Sequence, residues 1–129
     1  MKGLRLYKAE KLCSEIAIGQ LFDRSNPAVK MVFAYPLMMV WTVDSSRSGP
    51  AVARFLVSVP KKRLRHAVER VKMRRRIRES YRLNRALMPQ GVKFNLAFIY
   101  VASEVLPSAR IVPAMRRLLG SLNSVDVTE

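Results

Sequence analysis

The chain has 129 residues, half of them apolar, so it is long enough to bury one hydrophobic core and too apolar for a disordered basic tail. Its 24 Lys and Arg residues against nine Asp and Glu residues give a formal net charge of +15, which attracts nucleic acid or an anionic membrane. No apolar run reaches the roughly 18 residues of a membrane span and no secretory leader pattern is seen, which predicts a single soluble, cytoplasmic domain over residues 1–129.

A short helix is predicted near the start of the chain. Residues 1–13 are largely polar and basic, and we expect them to be flexible, as we do residues 124–129. Ser14 can act as an N-cap with Glu15 in the first turn, which predicts a helix from about 15 to 24. Its apolar face comprises Ile18, Leu21 and Phe22.

The stretch from Met31 to Val43 alternates like a strand. Pro36 has no N–H to donate to a ladder, so it predicts an edge position, a bulge or a break into two strands. The alternation places one set of side chains on a common face, namely Phe33, Tyr35, Leu37, Met39, Trp41 and Val43.

The next two elements are a strand and a long basic helix. Residues 44–50 form a loop by composition, and residues 51–59 alternate as a further strand. A linker at 60–65 then leads into a helix that ends near Met88, where a Pro-x-Gly sequence stops it.

The last part of the chain predicts a buried strand and a closing helix. Residues 94–102 are almost continuously apolar, which is typical of a strand covered on both faces. Pro107, Ser108 and Pro113 lead into a helix that runs to about Asn123. The order of elements predicts an α+β sandwich of one sheet against helices. The core stripe of the last helix comprises Met115, Leu118, Leu119 and Leu122.

Residues 61–85 hold 12 of the 24 basic residues, with only Glu69 and Glu79 against them. On a helix, four apolar side chains would fall on one stripe and a row of guanidiniums on the opposite side. The alternative is an ordinary solvated face, but such faces usually interleave both charge signs at i,i+4. The segment therefore predicts a polyanion-binding helix. The stripe comprises Met73, Ile77, Tyr81 and Met88, and the opposite side comprises Arg75, Arg78, Arg82 and Arg85.

No catalytic group and no metal site is predicted in the protein itself. Cys13 is the only cysteine, and His66 is the only histidine, placed where a helix cap or a phosphate contact is the commoner role. The acidic residues are scattered without metal-ligand spacing, and no phosphate-binding loop occurs. These features indicate a nucleic-acid-binding module without chemistry of its own.

The residues alone leave the kind of nucleic acid open. Aromatic side chains of the predicted sheet and first helix could stack on unpaired bases, although packing in the core is the commoner role for any one of them. They favour structured RNA with a single strand over duplex DNA. A basic RNA-binding protein of ribosomal or RNA-chaperone type is the alternative. An amphipathic membrane helix is disfavoured, because the apolar stripe lacks Trp and Phe. The aromatic side chains are Phe22, Phe33, Tyr35 and Trp41.

Residues 67–82 contain the pattern Ala-Val-x-Arg-x-x-x-Arg-Arg-x-x-Arg-Glu-x-Tyr-Arg. This pattern resembles the signature helix of the bacterial ribonuclease P protein subunit, and so do residues 55–63 before it and Phe22 in the first helix. Val71 departs from the family pattern, which has Asn there. The resemblance implies a two-layer α+β sandwich with a four-stranded sheet, the order α-β-β-β-α-β-α and a left-handed βαβ crossover, ribosomal protein S5 domain 2-like.

The resemblance also implies a division of labour with RNA. In the family a catalytic RNA subunit uses bound Mg²⁺ to remove the 5′ leader from precursor tRNA, while the protein binds that RNA and the single-stranded leader. No catalytic residue and no metal ligand of the protein is implied. The implied RNA-binding residues are Lys62, Arg63, Arg70, Lys72, Arg74, Arg75, Arg78 and Arg82. The implied leader cleft, between the first helix and the sheet, is lined by Ile18, Phe22 and Trp41.

Overall fold

The computed structural model describes residues 12, 15–23, 25–44 and 52–124. Three helices and four strands follow the predicted order, which is confirmed. The helices are α1 (Glu15–Leu21), α2 (Ala67–Asn84) and α3 (Ser108–Ser121). The strands are β1 (Lys30–Ala34), β2 (Leu37–Val43), β3 (Arg54–Ser58) and β4 (Phe94–Tyr100). Short 3₁₀ turns, Arg85–Leu87 and Leu122–Ser124, follow α2 and α3.

The four strands form one mixed sheet in the order β1-β2-β4-β3. The pairs β1–β2 and β2–β4 are antiparallel, whereas β3 and β4 are parallel. Parallel neighbours need a crossover connection, and α2 supplies it. The basic helix is therefore attached to the sheet at both of its ends.

The sheet separates two apolar clusters. On one face α2 and α3 pack against β2, β3 and β4 to form the main core, which confirms the predicted layer of helices against the sheet. On the other face α1 covers a smaller cluster that contains Leu21, Val40 and Ala97. Both faces of the central strands are thus apolar, which is why β2 and β4 contain almost no polar residues.

The turn between β1 and β2 changes which side chains share a face. Tyr35–Pro36 is a cis peptide bond within this turn, and Pro36 breaks the stretch into two strands as predicted. Because Ala34 pairs directly with Leu37, these two side chains point to the same face. The prediction that Phe33 shares a face with Leu37 is therefore wrong, since Phe33 lies beside Met38 on the α1 face and is 60% exposed.

The apolar stripe of α2 is confirmed. Met73, Ile77 and Tyr81 are fully buried, and Met88 beyond the helix end is nearly so. The Tyr81 ring stacks on Phe55 of β3 with ring centroids 4.1 Å apart. The helix therefore presents its opposite side, with most of its charge, away from the core.

Several predicted boundaries shift or fall outside the described residues. Helix α1 ends at Leu21, three residues earlier than predicted, and α3 already begins at Ser108 and includes Pro113. Most of the predicted flexible ends, the Ser14 cap and most of the loop 44–50 lie outside the described residues. Leu12, inside the predicted flexible start, is buried, and its N–H donates to the Phe55 carbonyl at 3.0 Å. None of the described helices has the length and apolar character needed to cross a membrane.

Candidate RNA interface

The outward side of α2 carries a dense row of positive charge. We define the basic face as Lys72, Arg74, Arg75 and Arg78; three of these side chains are exposed and Arg74 is half-buried. Val71, which stands where the family has Asn, is 38% exposed beside this row. A planar guanidinium can bind a phosphate through two parallel hydrogen bonds, so this face suits a polyanion.

Two other arginines of α2 are already bound to the protein. The Nη1 of Arg76 donates to the carbonyl oxygen of Leu106 at 2.6 Å and ties α2 to the segment before α3. Arg82 forms an ion pair with Glu79, and its hydrogen bond holds the pKa of the Glu79 carboxyl below its ordinary value. Arg82, predicted as an RNA contact, therefore shares its charge with a carboxylate one turn away.

Arg70 is also engaged with the protein. Its Nη1 donates to the carbonyl oxygens of Leu64 and Arg65, each at 2.9 Å. Both acceptors lie in the segment that precedes α2. Arg70, predicted as an RNA contact from the family pattern, is thus directed towards backbone carbonyls and is half-buried.

Residues 60–66 form a basic linker between β3 and α2. Lys61 and Lys62 are exposed, and Arg63 is half-buried. Ser58, at the end of β3, pairs with Ile99 of β4, so the linker leaves the sheet at the Ile99 end of that strand. The positive charge of the linker therefore lies at one defined end of the sheet.

The face of the sheet opposite α2 contains an open cavity of about 650 Å³. It lies beside the end of α1, against β1, β2 and β4, and its wall is mostly apolar. Ile99, which pairs with the last residue of β3, is one of its wall residues, so the cavity reaches the end of the sheet at which the linker begins. The lining residues are Leu21, Phe22, Asp23, Asn26, Val29, Met31, Met38, Val40 and Ile99.

The three residues predicted for a cleft occupy different places. Phe22 lines the cavity and is 43% exposed, and Ile18 packs against the apolar cluster beneath α1. Trp41 is only 5% exposed and belongs to the main core on the opposite face, where its ring meets Phe94 edge-on with centroids 5.6 Å apart. The placement of Trp41 in one cleft with Phe22 is therefore wrong, because successive side chains of β2 alternate between the two faces.

Trp41 is the only tryptophan in the chain, so its fluorescence tests this placement. We expect acrylamide to quench it weakly in the free protein, and an RNA single strand to leave both its intensity and its wavelength unchanged. Strong quenching by acrylamide, or a shift of the emission wavelength on RNA binding, would show that Trp41 is exposed and contradict its place in the core.

Sequence reasoning missed most of the cavity wall. Val29, Met31, Met38 and Ile99 were not predicted as site residues. A signal was available, because Met38 and Val40 make the second face of β2 apolar and β4 is apolar except for Asn95. A sheet with two apolar faces needs cover on both, and the short α1 can cover only part of one.

The geometry agrees with the comparisons with known proteins. A family model described as Ribonuclease P matches residues 7–123. The chain belongs to this family. The ribonuclease P protein component of Porphyromonas gingivalis is 36% identical over 120 residues, which cover 88% of this chain and 83% of that protein. The resemblance seen in the sequence is thereby confirmed.

Solved structures show the same fold. The RNase P protein of Thermotoga maritima superposes with a TM-score of 0.68 at 19% identity, covering 87% of this chain and 96% of that one. The RNase P protein of Staphylococcus aureus gives a TM-score of 0.69 at 16% identity, covering 92% and 98%. The function of this chain is accordingly that of a ribonuclease P protein subunit, a component of a tRNA-processing ribonucleoprotein.

Proposed function

We propose that this protein binds the catalytic RNA subunit of ribonuclease P through the basic face of α2 and binds the single-stranded 5′ leader of precursor tRNA in the cavity beside α1. One observation carries the proposal. The same small domain presents an exposed row of cations on one side of the sheet and an open apolar cavity on the other. The first suits folded RNA, and the second suits unpaired bases.

The basic face supplies affinity for folded RNA without reading its sequence. Contacts from Arg and Lys to phosphates release condensed counterions, so such binding is strong at low salt and weakens as salt rises. Between leader, tRNA and catalytic RNA, phosphates repel one another. A protein with a formal net charge of +15 lowers that repulsion and so favours substrate binding.

The cavity supplies a surface for the leader. Phe22 is the aromatic ring in its wall, and Met31 and Met38 add flexible apolar side chains. Stacking on an aromatic ring tolerates any base, which a leader of variable sequence requires. We assign Lys62 and Arg63 of the basic linker, which begins at the end of the sheet that the cavity reaches, to contacts with leader phosphates.

We assign catalysis to the RNA subunit and magnesium mainly to that RNA and the substrate. Among the described residues, no three His, Cys, Asp or Glu side chains are grouped so that they could hold a metal ion. The protein contributes charge and position in this scheme, in the cytoplasm where tRNA precursors are made.

The proposal is tested by cleavage of a 5′-extended precursor tRNA at low magnesium, with the bacterial RNA subunit and with or without this protein. We expect the protein to stimulate cleavage at the mature 5′ end and to cleave nothing alone. Cleavage by RNA-free protein would refute the division of labour. Tight RNA binding without stimulation would instead indicate a basic RNA-binding protein of ribosomal or chaperone type.

Phe22→Ala tests the role of the cavity. Loss of one base–aromatic stack costs about 1–3 kcal/mol, so we expect the holoenzyme to bind leader-containing precursor about 5-fold to 150-fold more weakly. Affinity for mature tRNA, which has no leader, should not change. Equilibrium binding of the two RNAs measures the difference.

Tyr35→Ala is the matched control for this experiment. Tyr35 is an aromatic residue of similar exposure, 52%, but it lies in the β1–β2 turn and is not part of the cavity wall. We expect it to bind both RNAs like the wild type. If Tyr35→Ala and Phe22→Ala weakened binding of leader-containing precursor equally, the cavity would not be the specific binding site of the leader.

A further inference from the structure

We propose that Arg70 is a positioning residue, which holds the basic linker in place for the RNA leader rather than binding RNA phosphate itself. The inference rests on the proposed function for the leader, but its structural part concerns the protein alone. Arg70, the first arginine of the family pattern, would then act by binding the protein's own backbone.

The hydrogen bonds of Arg70 are specific to the linker. One nitrogen, Nη1, carries two N–H donors, and its two acceptors are the adjacent carbonyl oxygens of Leu64 and Arg65, at 2.9 Å each. Bonds from a charged donor are stronger than bonds between neutral groups. With both donors of this nitrogen used on the backbone, Arg70 restrains the linker just before it enters α2.

The linker needs such a restraint. Its residues Lys61, Lys62, Arg63 and Arg65 place four positive charges within five positions, and like charges favour a splayed chain. At the start of α2 the N-cap residue His66 makes no side-chain capping bond. The start of α2 therefore has no side-chain cap that would hold the linker against this repulsion.

Arg70 completes a set of three restraints on the linker. The Pro60 carbonyl accepts the N–H groups of Arg63 and Leu64, at 3.0 and 3.3 Å, which closes a turn. The Leu64 side chain, 3% exposed, anchors that turn in the main core. Arg70 binds the carbonyl oxygen of the same Leu64. Lys62 and Arg63 therefore lie in a turn that is fixed at Pro60 and at Leu64.

A held linker presents its charge at lower entropic cost. Long basic side chains on a mobile segment must be ordered when RNA binds, and this ordering reduces affinity. If the carbonyls of residues 64 and 65 were released, Lys62 and Arg63 would keep their charge and lose the fixed position that we propose for binding the leader. The expected loss therefore falls on leader recognition and not on binding of the RNA subunit.

Arg70→Lys and Arg70→Ala, with Arg74→Ala as the control, separate the two roles. Lysine keeps the charge, but its single nitrogen lies one bond short of Nη1 and has no planar fork. Arg74→Ala removes one charge from the next turn of the same helix without touching the linker bonds.

The first measurement is hydrogen exchange in the full-length free protein. We expect the Arg63 and Leu64 amides to exchange about tenfold to a hundredfold faster in both Arg70 variants and at the wild-type rate in Arg74→Ala. The Phe98 amide of the central strand β4 is the internal reference for an intact fold. Wild-type exchange of the linker in Arg70→Lys would overturn the proposal.

The second measurement is a mutant cycle in the reconstituted holoenzyme. The affinity ratio between leader-containing precursor and mature tRNA is compared for Arg70→Lys, for Lys62→Ala with Arg63→Ala, and for the triple variant. We expect Arg70→Lys to lower this ratio, and the triple variant to be no worse than the Lys62, Arg63 double variant. Additive losses would mean that Arg70 contacts the RNA independently, and would refute its positioning role.

The two measurements distinguish a wrong leader site from a wrong role for Arg70. If the wild-type holoenzyme shows no preference for the leader, the proposed leader site is refuted and with it the functional part of the Arg70 proposal. If the wild type shows the preference but the linker amides exchange at the same rate in the Arg70 variants, only the positioning role is refuted.

Discussion

Ile77→Ala is expected to lower the free energy of unfolding by about 2–5 kcal/mol, because it truncates a fully buried side chain and leaves a cavity between α2 and the sheet. Urea denaturation followed by circular dichroism measures the change as a shift of the midpoint at constant slope. RNA affinity under conditions where the variant is folded should be close to that of the wild type, since Ile77 faces away from the basic face.

Val68→Ala is the control for this prediction. It truncates another β-branched side chain of the same helix, but Val68 is 78% exposed, so the expected change in stability is within about 0.5 kcal/mol. Equal losses for the two variants would mean that the helix is rotated relative to the arrangement described above.

The double variant Arg74→Ala, Arg78→Ala is expected to weaken binding to the RNA subunit about 10-fold to 100-fold at moderate salt. The sharper expectation is a change in salt dependence. Each lost phosphate contact lowers the slope of log K against log salt by about 1, so the double variant should lose about 2. Filter binding or fluorescence titration between low and physiological salt measures both quantities.

Arg110→Ala with Arg117→Ala provides the matched charge control. Both residues are exposed on α3, so this variant loses the same net charge from a different helix. If the basic face of α2 is the RNA surface, the control keeps the slope of the wild type. A slope that falls equally in both double variants would show that net charge, and not the face of α2, determines RNA binding.

The main features of α2 could be predicted because they depend only on local geometry. Within one helix, the period of 3.6 residues determines which side chains share a stripe, whatever the rest of the chain does. Met73, Ile77 and Tyr81 are therefore buried as predicted, and Arg75 and Arg78 are exposed. The charge excess of the segment likewise follows from composition alone.

The facing of the strands could not be predicted in the same way. Alternation within a strand is local, but the phase between β1 and β2 depends on the turn at residues 35–36 and on the pairing of Ala34 with Leu37. Moreover, β2 is apolar on both faces, so the sequence does not say which face receives the longer helices. That choice determined that Trp41 lies in the main core and Phe22 beside the cavity.

The role of Arg70, too, could not be predicted from the sequence. In a run of basic residues, nothing in the sequence distinguishes an arginine that faces RNA from one that binds backbone carbonyls five and six positions earlier. By itself, the sequence determined the order of elements, the buried stripe of α2, the excess positive charge and the family. Only the tertiary structure decided the two faces of the sheet, the cavity and the partners of individual arginines, because those depend on strand register and on turns that bring distant backbone groups within hydrogen-bonding distance.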